Sequence, residues 1–257
     1  MRITTLFALL SLAACLSAQG ELSGPREYPQ FRTLSALPGG LFGVLPGGKP
    51  DFSGAMAIST PIAYALGSRH FAAGLGNTSV NSRFAFFDKH GSSTNTSNGT
   101  GFVMGGVTTP VGELCGTYMV LSSKGDQVYN FQFSPRMEGK VRVGVGVQDA
   151  GSHGGASGDP LDFTLHYTSR SYYSVATADL GKGNYASVGY GDQRFGGVFG
   201  NVSAQVTPKL KALVEYDVFN WNFGLATPVY QRNGATATLF AGMIRGKYAT
   251  WGLTATF

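Results

Sequence analysis

Tyr248-Ala-Thr-Trp251-Gly-Leu253-Thr-Ala255-Thr-Phe257 closes the chain with an apolar residue at every second position and an aromatic residue last. A period of two marks a strand whose two faces meet different surroundings. With a secretory leader at the other end, this stretch predicts the terminal strand of a bacterial outer-membrane β-barrel. In that reading Phe257 is the insertion signal, and Trp251 and Leu253 face lipid. A secreted soluble β-sandwich or adhesin could carry the same alternation on an edge strand.

The leader is read from Arg2 as a short positive region, an apolar run from Leu6 to Leu12 too short to span a bilayer, and the small residues that follow. Two processing readings compete. Cleavage after Ala18 would leave Gln19 first, whereas Leu12-Ala13-Ala14-Cys15 fits a lipobox in which Cys15 would be lipidated. Simple cleavage is preferred, so residues 1–18 are assigned as a signal peptide.

The chain has 257 residues, of which 43% are hydrophobic and only 13% charged, one ordinary domain's length. After the leader, no stretch approaches the roughly 20 consecutive apolar residues of a membrane helix. Residence in a membrane therefore demands a closed barrel, because only a helix or a closed sheet satisfies the backbone there. The 38 glycines, 18 phenylalanines and 12 tyrosines suit curved strands with aromatic girdles. Of the two cysteines, Cys15 lies in the leader and Cys115 is left alone, so no disulfide or cysteine metal site is expected. No cofactor is expected either. The net charge of +5 is gathered in no basic run, which argues against nucleic acid as a partner. The expected partners are outer-membrane lipid and lipopolysaccharide, the barrel-assembly machinery, and polysaccharide or its export proteins.

Two segments show the alternation best. In Lys209-Leu-Lys211-Ala-Leu213-Val-Glu215-Tyr-Asp217 four of the five odd positions are charged, while Leu210, Ala212, Val214 and Tyr216 are apolar. In Lys140-Val-Arg142-Val-Gly144-Val-Gly146-Val-Gln148 the residues Val141, Val143, Val145 and Val147 share the other face. In a membrane the charged face must point inward, because Lys or Arg facing lipid costs about 2–4 kcal/mol at mid-depth. Lys140, Arg142, Lys209, Lys211, Glu215 and Asp217 are therefore assigned to the lumen. Val141, Val143, Val145, Val147, Leu210, Val214 and Tyr216 are assigned to lipid.

Turns fix the count. Short connections fall at Thr109-Pro110-Val111-Gly112, Pro135-Arg136-Met137-Glu138 and Thr207-Pro208, and long polar ones at 89–100 and 149–159. Barrels of this kind keep short turns in the periplasm and long loops outside. Strands near 70–88, 101–108, 113–122, 127–134, 139–148, 166–178, 184–192, 196–206, 208–217, 219–228, 236–244 and 247–257 satisfy that sidedness. Twelve strands result, with ten and fourteen open. The fold expected is all-β, a single antiparallel transmembrane barrel over 54–257. Residues 19–53, which hold Pro25, Pro29, Pro38, Pro46 and Pro50 among paired glycines, are read as a periplasmic lead-in or a plug.

Phe195-Gly-Gly-Val-Phe199-Gly-Asn201-Val-Ser203, Val206-Thr207-Pro208-Lys209, Glu215-Tyr216-Asp217 and Asn222-Phe-Gly224-Leu225 form a pattern that resembles the C-terminal barrel of YjbH-type outer-membrane proteins, which accompany exopolysaccharide secretion. Ser59-Thr60-Pro61-Ile62-Ala63-Tyr64 looks like an element of the same group, and Gly144-Val-Gly146-Val-Gln148-Asp149 is similar to a further strand end. The resemblance implies an outer-membrane barrel tied to polysaccharide export or envelope structure. This chain is much shorter than full-length members.

Nothing in the sequence carries catalysis: there is no nucleophile elbow, zinc-binding His pair or phosphate loop. Asp162 and His166 share a strand face and are assigned to the lumen lining. Lys211 and Glu215 lie four residues apart on one strand, roughly 13 Å at about 3.3 Å per residue, too far to pair with each other. A hydrated, porin-like lumen with a mixed-sign constriction at these two residues is expected. A small passive pore for solutes is the alternative to an export-associated barrel.

Overall fold

The computed structural model of the protein describes residues 35–78, 100–121, 126–152, 170–218, 221–244 and 248–257. These residues form twelve strands: β1 (Phe71–Thr78), β2 (Thr100–Thr109), β3 (Gly112–Leu121), β4 (Asp126–Pro135), β5 (Val141–Gln148), β6 (Ser171–Gly181), β7 (Asn184–Gly191), β8 (Gly197–Thr207), β9 (Leu210–Tyr216), β10 (Trp221–Arg232), β11 (Ala235–Ile244) and β12 (Tyr248–Thr256). Each pairs antiparallel with its sequence neighbours, and β12 returns to β1, closing the barrel. The expected all-β barrel of twelve strands is the observed one. Cys15, Asp162 and His166 lie outside the described residues.

The meander sorts the connections into two rims. Residues 110–111, 136–140, 182–183, 208–209 and 233–234 turn at one rim, where Phe71 and Phe257 also exchange backbone hydrogen bonds of 3.2 and 2.9 Å. Two of these turns have positive φ at both central residues, Lys182-Gly183 and Asn233-Gly234. That conformation matches the twist of the flanking strands and favours Asn-Gly. The other strand ends, including the end of β1 with the start of β2 and the end of β5 with the start of β6, lie at the opposite rim. Register shifts at Asp179/Gly181, Gln205/Thr207 and Pro228/Tyr230 all fall near the turn rim, where a bulge costs few ladder bonds.

The outside is apolar. Val103, Val143, Val145, Val188, Leu225 and Leu239 are exposed along the middle of their strands. Tyr129, Tyr172 and Tyr190 are exposed toward the loop rim, and Phe71, Tyr230 and Phe257 at the turn rim. An aliphatic band between two aromatic girdles is the surface of a transmembrane barrel. A soluble sandwich would bury that band, and this molecule turns it outward.

The inside holds a segment of the same chain. Residues 35–67 run within the barrel, and nearly all of them are buried. They start beside β4 and β5 toward the loop rim, reach the turn rim near residue 46, climb again to 58–60, and descend to β1. Residues 54–70 precede the first strand, which starts at Phe71, close to the expected residue 70. Inside the segment Val44 and Ala55 exchange backbone hydrogen bonds of 3.0 and 2.9 Å. Gly48, at φ 80°, also packs where a Cβ would overlap the Gly67 amide, so the turn at 45–49 admits no side chain there.

Leu37, Phe42, Met56, Ile58, Ile62 and Leu66 of this segment form one apolar cluster with Phe102, Met104, Phe199 and Phe240 of the wall. Each such side chain contributes at most about 1.5–3 kcal/mol on burial. Phe42 stacks on Phe102 with centroids 6.4 Å apart.

Candidate functional site: an interior closed by residues 35–67

A backbone packed inside a barrel must find partners for its amides and carbonyls, or each costs a buried, unsatisfied group. The inward positions of the strands supply them. Asn130 Nδ2 donates to the Ala36 carbonyl at 3.1 Å, Gln148 Nε2 to Ser35 at 3.1 Å, and Gln132 Nε2 to Ile62 at 2.9 Å. The hydroxyl of Thr254 donates to the Leu41 carbonyl at 2.8 Å. Thr177 and Ser134 hydroxyls accept from the Ala63 and Ala65 amides, both at 2.8 Å.

Glu215 is the densest point of this contact. Its carboxylate accepts the backbone N–H of Ile58 at 3.0 Å, of Ser59 at 2.9 Å and of Thr60 at 2.9 Å. It also accepts the hydroxyls of Ser59 at 2.5 Å and Thr60 at 2.8 Å, and Asn222 Nδ2 at 3.0 Å. Three successive amides turned toward one anion make a nest, and it holds a fully buried carboxylate with neutral donors alone. Asn201 Nδ2 reaches the same turn, donating to Thr60 Oγ1 at 2.8 Å. Lys211, also fully buried, donates to the carbonyls of Ser53, at 3.1 Å, and Gly54, with the Tyr185 ring 5.5 Å from its Nζ.

Lys211 and Glu215 therefore do not face each other across water. Both are taken by the one stretch that climbs from the turn rim, the ammonium by its carbonyls at 53–54 and the carboxylate by its amides at 58–60. The expectation of a hydrated constriction is corrected: in this structure both charges are enclosed by the chain itself. Asp217 is buried just past β9 and accepts from Asn222 Nδ2 at 3.0 Å. Arg142 points inward on β5, half-buried. Lys140 and Lys209 sit in the turns, exposed, beyond the packed interior. Val141, Val143 and Val145 are exposed outward, whereas Val147, Leu210, Val214, Tyr216 and Trp251 are half-buried between neighbours on the outer wall. Leu253 and Phe257 are exposed.

Charge-based reading overlooked the neutral inward residues, Asn130, Gln132, Gln148, Thr177, Asn201 and Asn222. Their signal was present, since all occupy the lumen phase of their strands. Arg194 was overlooked as well. It lies in the connection between β7 and β8, yet is buried, with Nη1 donating to Gln148 at 3.1 Å and Nη2 to the Ser59 carbonyl at 3.3 Å. Among the described residues no three His, Cys, Asp or Glu side chains gather as a metal site.

Fold and interior together define a transmembrane β-barrel closed by a segment of its own chain. No family model matches the sequence, and no curated protein matches it. Among solved structures, a KdgM porin in complex with disordered oligogalacturonate shares 8% identity over 73% of this chain and 98% of that one, with a TM-score of 0.48. A second KdgM porin structure shares 8% identity over 72% and 98%, with a TM-score of 0.46. Neither likeness assigns a residue or a substrate to this chain. The similarity to YjbH-type barrels rests on its short motifs alone.

Proposed function

We propose that this protein is a self-plugged barrel of the outer membrane that admits small polar solutes when residues 35–67 withdraw. One observation carries the reading. Polar side chains all round the inner wall, among them Asn130, Gln132, Gln148, Thr177, Asn201 and Glu215, bond the backbone of a single continuous segment, while a smaller set, such as Tyr173 with Gln132 and Asn222 with Glu215, bond one another. Once that segment leaves, water takes over these polar groups and a channel remains; the apolar cover lost from Phe102, Met104, Phe199 and Phe240 makes such openings rare. A twelve-strand barrel supports this, because eight strands enclose a space that side chains fill, whereas wider barrels leave room. The short turns at one rim support a periplasmic position for that end, with the long connections outside.

The test is ion conductance of the purified protein in a planar bilayer. Wild type is expected to be closed with rare openings, and Glu215→Ala to open often, since it frees the segment at its densest anchor. A folded Glu215→Ala barrel with no conductance would sink the pore reading. The sealed interior would then favour the other role, a barrel of envelope structure or polysaccharide export.

A further inference from the structure

The wall is not evenly zipped. β4 and β5 pair through only three residue pairs, Phe131 with Val147, Gln132 with Gly146 and Phe133 with Val145. Toward the turn rim the two strands part, leaving Ser134 and Pro135 of β4 and 141–144 of β5 unpaired with each other. A cavity of about 370 Å³ opens there, between this seam and the inner segment. Its volume falls in the usual range of small-molecule sites, roughly 300–1,000 Å³.

Three of its lining groups are uncommitted. The Tyr64 ring is buried, 3% exposed, and stands edge-on to Tyr185 at 6.0 Å, but its hydroxyl has no hydrogen-bond partner. Arg142 Nε is likewise buried without a partner. Arg136 lines the same cavity from the exposed 136–140 turn. Glu113 is the lone carboxylate in the lining, and among the described residues it forms no ion pair with either guanidinium. Asp179 also stands near the Tyr64 phenol, so the charges around the cavity balance, but among the described residues neither carboxylate forms an ion pair with Arg142 or Arg136, and both guanidinium forks stay open to an added anion. A buried phenol and a buried guanidinium nitrogen without acceptors are costly unless something supplies the acceptor. Guanidinium forks match the planar or tetrahedral oxygens of carboxylate and phosphate.

We propose that this cavity is a binding site for a small oxyanion, a carboxylate or a phosphate, held by Arg142 and Arg136 with the Tyr64 hydroxyl as a third donor. The ligand sits between wall and inner segment at the turn rim. The site is complete with that segment in place, so binding there does not require the segment to withdraw and does not depend on the pore reading. The experiment is equilibrium dialysis of the full chain in detergent against radiolabelled inorganic phosphate and, separately, succinate. Saturable binding of at least one, near one per chain, is expected, and whichever binds identifies the oxyanion class. Arg142→Gln should weaken it about tenfold or more, the loss of one charge-assisted bond. Arg136→Gln, in an exposed turn where the fold is not at risk, should weaken it severalfold, as should Tyr64→Phe. Absence of saturable binding for both probes would overturn the proposal. So would undiminished binding by Arg136→Gln together with a folded Arg142→Gln, checked by heat-modifiable migration.

Discussion

Glu215 shows how a residue can be placed correctly and its surroundings misread. Alternation along β9 puts it inward, and it is inward. A luminal carboxylate was expected to keep its water, yet the amides of Ile58, Ser59 and Thr60 take that place. Removing the acceptor leaves three buried N–H groups at about 1–3 kcal/mol each, so Glu215→Ala should loosen the segment by roughly 3 kcal/mol or more. Amide exchange at 58–60 and thermal unfolding in detergent would record it. Glu215→Lys should be worse than Ala, because an ammonium would face three N–H donors; unchanged exchange in both variants would mean the nest bears no load. On the outer face, Val143→Arg should cost about 2–4 kcal/mol if the residue meets the bilayer near mid-depth. Gly144→Arg, one residue along and inward-facing, should also fail, since even a Cβ there comes within 3.1 Å of the Ala63 backbone. Normal assembly of Val143→Arg, measured as heat-modifiable barrel in membranes, would remove that valine from the lipid face.

At the scale of elements, the strands were legible and their occupant was not. A strand between lipid and lumen imprints period two on its sequence, and the turns add Thr-Pro and Pro-Arg marks, so the strand count and the split between short and long connections could be read. The inner segment has no such constraint. It touches polar wall on several sides as it doubles back, so no period survives. Its prolines and paired glycines read equally as a lead-in or a plug. Ala55, Met56, Ala57 and Ile58 are buried core, packed against the wall from within. The resemblance motifs gain a physical meaning here: Ser59-Thr60-Pro61 binds Asn201 and Glu215, residues of the other quoted stretches. Sidedness itself is testable. An epitope within 92–97, in the β1–β2 connection, should be reached by antibody on intact cells, and one at Thr207-Pro208 should not. Labelling at Thr207-Pro208 would reverse the orientation.

For the whole molecule, the apolar band and the filled interior make different demands. The band requires a bilayer, so the protein should resist carbonate extraction and need detergent to leave membranes. The interior requires that any passage begin with movement of residues 35–67. Met56 donates its amide to Ser203 Oγ at 3.3 Å, which places the segment and β8 within reach of an engineered bridge. Cysteines at both positions in a Glu215→Ala background would tie the loosened segment to the wall. The decisive measurement is planar-bilayer conductance of this triple variant, oxidised and then reduced. Conductance absent under oxidation and restored by reductant is the predicted result; equal conductance in both states would place any passage outside the segment's control and contradict the account.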